Sequence, residues 1–316
     1  MGFSGFPNSI LVLLFALFNL LDLGVGARKL ASLYQPPAMA ISYHNGALLE
    51  GDVPVSVLWY GNFTAPQKAI VADFLLSLNP LAPVGHVAAA AAAAPSVSRW
   101  WSTVQVYMKK AGKKNARIVL ANQEADQNYS IGKILKKSQI SGLSRRAGSK
   151  HGGVALVLTA EDVTVEGFCM SNCGFHGSDS KTTSPFIWVG NSASQCPGEC
   201  AWPFHQPIYG PQTPPLLPPN ADVGLDGMIV NIATLLAGTA TDPFGNGYFL
   251  GSPEAPLEAA TACTGVYGKG AYPGYTGELL RDESSGASYN AAGVGNRKYL
   301  LPALFDPSTS RCSTLV

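Results

Sequence analysis

The sequence predicts an α/β fold, with α+β as the alternative arrangement, in a single compact disulfide-braced domain. Three observations predict it. Apolar β-branched runs alternate with helix-period runs along the chain. Turn formers are abundant, with 34 Gly and 23 Pro, while only 13% of residues are charged, which describes a loop-rich packed fold. All six cysteines (Cys169, Cys173, Cys196, Cys200, Cys263 and Cys312) stand in the second half of the chain.

The elements follow in order. Ile10 to Leu21 is an uncharged run of signal-peptide length, too short for a bilayer span. Val25, Gly26 and Ala27 behind it suit signal peptidase, so 1–27 reads as a secretory signal, 28–52 as an irregular lead-in and 53–316 as the domain. Val53 to Tyr60 (VPVSVLWY) is a core strand. Pro66 opens a helix to Leu78, with Ile70, Val71, Phe74 and Leu75 at helical spacing. The alanine run at 88–94 is low-complexity, a short helix or a surface loop. Ser96 to Lys110 is a helix with Val97, Trp101, Val104 and Met108 on one stripe. Ala116 to Ala121 is a strand, Tyr129 to Leu143 a helix, and Val154 to Thr159 and Phe186 to Gly190 are strands with which Val163 to Phe168 can pair. Asp222 to Ala237 is the strongest helix, capped by Asp222 or Asp226, ended by Gly238, with Met228, Ile232 and Leu235 on one face. The tail after Thr264 reads as loops and short strands.

Export sets the cysteine chemistry. An even count in an exported chain implies up to three disulfides, and the spacing leaves all 15 pairings open. The two C-x3-C pairs would also permit a four-thiolate zinc site, which the secretory route disfavours. The sequons at Asn62 and Asn128 become candidate glycan acceptors on surface loops. No later run is read as a membrane span, so no stable membrane insertion is expected.

Charge is lopsided. Residues 109–151 hold eleven Lys or Arg against Glu124 and Asp126, a net of +9, while the rest of 28–316 has ten bases and seventeen acids, a net of −7. Lys109, Lys110, Lys113, Lys114, Lys136, Lys137, Arg145 and Arg146 are the polyanion-binding candidates. Outside the cytosol the fitting polyanion is an acidic polysaccharide and not nucleic acid; a solvated basic face that binds nothing is the competing explanation.

No H-E-x-x-H, G-x-S-x-G or Walker A sequence is present, and six cysteines that can pair with one another leave no expected thiol nucleophile. The densest polar stretch runs from Gly167 to Gly210. There His176 and His205 each follow a C-x3-C pair, making them the weak metal-ligand candidates. Local hydrogen bonding within a cystine-braced loop explains both histidines more simply. No catalytic residue and no cofactor is assigned.

The blocks VSVLWYGNFT, PSVSRWW, GFCMSNCGFHGS, WVGNSASQCPGECAWPFHQPIYGP, DVGLDGMIVNIATLLAGTATDPFGNGYF and YNAAGVGNRKYLLPALFDPSTSRC resemble the EXORDIUM / phosphate-induced-protein family of plants, over about residues 40–316. The resemblance implies a secreted apoplastic or cell-wall protein of brassinosteroid-responsive growth and cell expansion, with no established activity or catalytic residues to transfer. A second resemblance is narrower. The block from Asp226 to Pro243 is similar in placement to the metal-binding helix of a zinc-metalloprotease-like fold, yet Thr234-Leu235-Leu236-Ala237-Gly238 offers no imidazole. A degenerate zincin-like architecture without its metal motif is therefore the expected variant of the α/β class. The expected function is non-catalytic binding of a wall component or an extracellular partner protein. The alternatives are an enzyme on wall polysaccharide or peptide using the 167–210 platform, and a purely structural wall protein.

Overall fold

The computed structural model describes residues 40–316 except 81–93, 149–151, 171, 180 and 182. Residues 1–27, where a secretory signal is expected, the lead-in as far as residue 39 and the alanine run at 88–93 lie outside the described residues. A short strand, β1 (Ser42–Tyr43), precedes the central strand β2 (Gly51–Tyr60). Helix α1 (Ala65–Ser77) follows, opened by a capping box in which the Thr64 hydroxyl accepts from Gln67 N–H and the Gln67 side chain accepts from Thr64 N–H. Helix α2 (Val97–Lys110) is capped by Ser96. Next come β3 (Ala116–Asp126), β4 (Ile134–Leu135), α3 (Lys137–Arg146), β5 (Val154–Thr159), β6 (Thr164–Val165), β7 (Gly174–Ser178) and β8 (Pro185–Gly190). The turn α4 (Pro197–Cys200), the long helix α5 (Val223–Thr241) and β9 (Tyr248–Phe249) complete the body; strands of two or three residues and single 3-10 turns make up the tail.

Five strands form one sheet in the order β3-β2-β5-β8-β7. The first four are parallel, and β7 runs antiparallel to β8 at the edge. Interior parallel strands are covered on both faces, which is why β5 and β8 are buried at every position. Helices α1, α2 and α5 pack on one another, and α5 lies against β7 and β8. Helix α3 lies against β2, β5 and β8. The alternation of β7 puts these two layers on opposite faces. The His176 side chain meets the α5 side, whereas Phe175, one residue earlier, lies beneath Lys137 Nζ of α3 at 5.6 Å.

Several expectations are corrected. The helix expected over 129–143 begins only at Lys137, because Tyr129 and Gly132 adopt left-handed backbone and Ile134–Leu135 is a strand. Its partner is β6, so 163–168 joins this small ladder and not the main sheet. Helix α5 does not end at Gly238 but runs to Thr241. By length and apolar composition alone α5 could cross a bilayer, but 78% of that stretch is buried within the domain. Within 167–210, where a strand is expected only at 186–190 behind a cystine-braced loop, the structure adds strand β7, whose GFHGS sequence has no β-branched residue to announce it.

The disulfides are Cys169–Cys196, Cys173–Cys200 and Cys263–Cys312. The first two tie the approach to β7 onto α4, which packs on α5. Each closes a separation of 27 residues, for which loop-closure entropy alone gives about 3.5 kcal/mol. The third fastens the tail. There Trp100 Nε1 donates to Pro302 O at 2.6 Å, Tyr107 OH to Phe305 O at 2.6 Å, and Phe305 N–H to Ala259 O at 2.7 Å. Replacing Cys263 and Cys312 together by Ser should lower the unfolding free energy by about 2–4 kcal/mol in urea titration. An unchanged midpoint would mean that the tail is held by its buried hydrogen bonds alone.

Candidate functional site

Strand β7 aims its residues in three directions. Its bonds to β8 fall on the odd positions, as the flanking pairs Cys173–Gly190 and Asp179–Ser184 fix by register. The even residues, Gly174, His176 and Ser178, therefore turn their backbone groups outward. The His176 side chain instead points to the α5 face, where its Nε2 lies 2.8 Å from Glu258 Oε1. Helix α5 makes room for this pair at Gly238. A Cβ there would stand 2.2 Å from Glu258 Oε2 and 3.5 Å from His176 Nε2. A glycine that looks like a helix stop is a point of close approach, and the helix continues through it.

Glu258 is held by its surroundings: its N–H donates to Thr261 Oγ1 at 2.7 Å, and the neighbouring Ala259 carbonyl receives Phe305 N–H. Asp242, at the C-cap of α5, accepts Gly247 N–H on Oδ1 at 2.7 Å. Two buried atoms of the cluster have no hydrogen-bond partner among the described residues, His176 Nδ1 and Asp242 Oδ2. Both residues line a cleft of about 520 Å³ together with Phe175, Pro243, Phe244 and Glu258.

Burial by itself would lower the His176 pKa, but the Glu258 hydrogen bond and charge, with Asp242 adding, hold it above the usual imidazole value. Burial raises the Asp242 carboxyl, and the charge of Glu258 pushes it the same way against the Gly247 N–H. The result is a water-poor floor with one imidazole nitrogen and one carboxylate oxygen ready for a hydrogen-bonding group. Among the described residues no group of three or more His, Cys, Asp or Glu side chains is placed to hold a metal ion. The zincin-like architecture accordingly finds no support.

The other sequence-derived candidates lie apart from this floor. The four cysteines of the C-x3-C pairs are cross-linked to each other as disulfides, not gathered as a thiolate site. His205 is exposed, with Nδ1 2.9 Å from Gln206 O, and lines a separate groove with Trp202 and Tyr275. The sequon residues Asn62 and Asn128 are both exposed, and Asn62 Nδ2 donates to the hydroxyl of Tyr129, inside the second sequon, at 3.3 Å.

The basic candidates do not form one free patch. Lys113 pairs with Glu50 at 3.2 Å, Arg145 with Asp179 at 2.8 Å and Arg146 with Asp126 at 2.5 Å, while Lys110 Nζ donates to Pro307 O. Lys109, Lys114, Lys136 and Lys137 are exposed and make no ion pair among the described residues. Asp222 caps α5 by accepting Leu225 N–H at 3.0 Å. Asp226 is not a cap. It is buried, accepts both Asn220 N–H and Asn220 Nδ2, and its carboxyl is pushed up to about 7, chiefly by burial.

Glu258, Asp242 and Gly238 were not identified from sequence. Glu258 is one of two acids, with Glu254, in the otherwise apolar stretch PEAPLEAA, and Asp242 precedes a proline. An acid among prolines and apolar residues is the available signal, but it does not name a histidine 82 positions away.

A family model described as the phosphate-induced protein 1 conserved region matches residues 41–315. Among curated proteins, the chain is 53% identical over 312 residues to Protein PHOSPHATE-INDUCED 1 of Nicotiana tabacum, covering 96% of this chain and 97% of that one. It is 52% identical to Protein EXORDIUM of Arabidopsis thaliana, covering 96% and 98%. It is 39% identical to Protein EXORDIUM-like 3 of the same plant, covering 86% and 82%. No solved structure matches.

Two outcomes follow from this geometry. Gly238→Ala should drive Glu258 from His176 and lower stability by about 1–3 kcal/mol, as a buried charge partner is lost. Denaturant titration reads the loss, and the His176 pKa measured by NMR should fall with it; an unmoved pKa would contradict the contact. Stability should also decline from pH 5 to pH 8. The raised His176 value gives a contribution that is full below 6.5 and lost as pH climbs through the folded value. Asp226, raised from 3.8 to about 7, imposes a penalty that grows as pH rises between those values. The Tm should therefore fall over pH 5–8, and Asp226→Asn should flatten the decline; a Tm that rises over this window would contradict both assignments.

Proposed function

Because the chain belongs to the phosphate-induced protein 1 (EXORDIUM) family, we propose that it is a secreted protein of the apoplast or cell wall, acting in brassinosteroid-responsive growth and cell expansion by binding and not by catalysis. Three disulfides are the chemistry of the secretory pathway or extracellular space. The uncharged Ile10–Leu21 run supplies the export signal in this reading, and the exposed Asn62 and Asn128 supply glycan acceptors. Lys109, Lys114, Lys136 and Lys137 are the charges left to meet an acidic wall polysaccharide.

The observation that carries the binding role is the state of the cleft floor. His176 and Glu258 are engaged with each other at 2.8 Å, and all six cysteines are consumed in disulfides. What the floor offers a ligand is two unpartnered buried polar atoms. One observation favours a second reading, an enzyme on wall polysaccharide or peptide: a carboxylate-paired histidine with a raised pKa inside a cleft is also an acid–base arrangement.

Incubating the purified protein with isolated cell-wall material at rising NaCl separates the two. Binding predicts retention that weakens with salt, because exposed lysine contacts are screened, and no release of soluble sugar or peptide. Absent retention at low salt would contradict the wall contact. Product release that disappears in His176→Ala would replace binding by catalysis.

A further inference from the structure

Strand β7 ends the sheet, and none of the hydrogen bonds among the described residues pairs its outer edge. The outward N–H and C=O groups of Gly174, His176 and Ser178 form a two-residue repeat, the spacing at which a second strand pairs. Exposed edges are templates for strand addition, and proteins guard them with charges, prolines or bulges. The opposite edge, β3, carries Arg117, Glu124 and Asp126. GFHGS holds no Lys, Arg, Asp, Glu or internal proline, and its one ionisable side chain, His176, is turned to Glu258 on the α5 face.

The cleft runs beside this unguarded edge. Pro243, Phe244, Pro253 and Pro256 form apolar lining, three of them without an N–H to compete for an incoming backbone. The ionisable lining groups are Asp242, Glu254 and Glu258 against His176 alone. Asp242 is fully buried, and its Oδ2 lacks a partner. Backbone groups at the rim and an unsatisfied carboxylate at the floor together describe a site for a polypeptide with a cationic side chain.

We propose that the cleft binds an extended peptide segment of a partner protein, added to β7 as a sixth strand, with a Lys or Arg side chain directed at Asp242. This rests on the reading that the protein acts by binding, and it names the partner class and the seat. Main-chain bonds to residues 174, 176 and 178 supply affinity, and the acidic floor supplies selectivity.

The test uses the mature protein on a support with two randomised hexapeptide mixtures, one with Lys fixed at position three and one with Glu. Retained peptides are quantified by mass spectrometry. The proposal expects the Lys mixture to be retained at least tenfold over the Glu mixture. N-methylating alternate amides of a retained peptide should cut its retention at least tenfold. Ser178→Pro should do the same, because it removes an outward N–H and spares the ladder bonds of 175 and 177. Asp242→Asn, which keeps an acceptor for Gly247 N–H, should erase the Lys preference without unfolding the cleft. Equal retention of both mixtures, or retention blind to N-methylation and to Ser178→Pro, would overturn the proposal. So would retention lost in step with dimerisation, which would seat a second copy on the edge. Failure of both mixtures beside intact salt-sensitive wall retention would sink this assignment and leave the family-based reading standing.

Discussion

The close approach of α5, β7 and Glu258 at Gly238 is the contact on which the rest of the site depends. A side chain there would collide with Glu258 Oε2 at 2.2 Å. Without the approach His176 would be a half-buried imidazole on an edge strand with nothing to neutralise it. With it, the imidazole gains a carboxylate partner, Asp242 is carried to the same floor by the helix end, and the cleft acquires its acid-rich base. The cost is buried polar atoms that the protein alone does not satisfy, and such atoms are rare in native folds unless a site uses them.

The disulfides and the tail brace that contact from two sides. The paired disulfides fix the start of β7 against α4, and α4 against α5 through Asn231 Nδ2, which donates to Cys200 O at 2.9 Å. On the other side, the tail carries Phe305 N–H to Ala259 O, while Tyr107 OH and the Cys263–Cys312 bond hold the tail itself. Glu258 is thus braced by residues from α2 to the last strand. This explains how a chain with few regular elements in its final third can still position one carboxylate.

Much of the scaffold was legible in the sequence for direct physical reasons. The interior strands β2, β5 and β8 are apolar on both faces, and α2 shows its stripe from Val97 to Met108 because one face meets the core. The site was less legible. Gly174 and Gly177 hide β7 from any propensity argument, and Gly238 reads as a helix terminus because its reason, a carboxylate twenty residues further on, is tertiary. His176 was singled out but its partner was not. The basic segment was visible as charge, whereas its neutralisation by Glu50, Asp126 and Asp179 depends on folding.

Family membership, the disulfides and the cleft are the observations behind the proposed export and the proposed peptide seat on β7. Hydrogen–deuterium exchange of the β7 amides, resolved residue by residue, addresses this most directly. It would compare the protein alone with the protein bound to a retained Lys-containing hexapeptide. The account predicts slow exchange at 175 and 177 in both states, and fast exchange at 174, 176 and 178 that slows on binding. Even-numbered amides already protected in the free protein, or protection on binding confined to another surface, would contradict it.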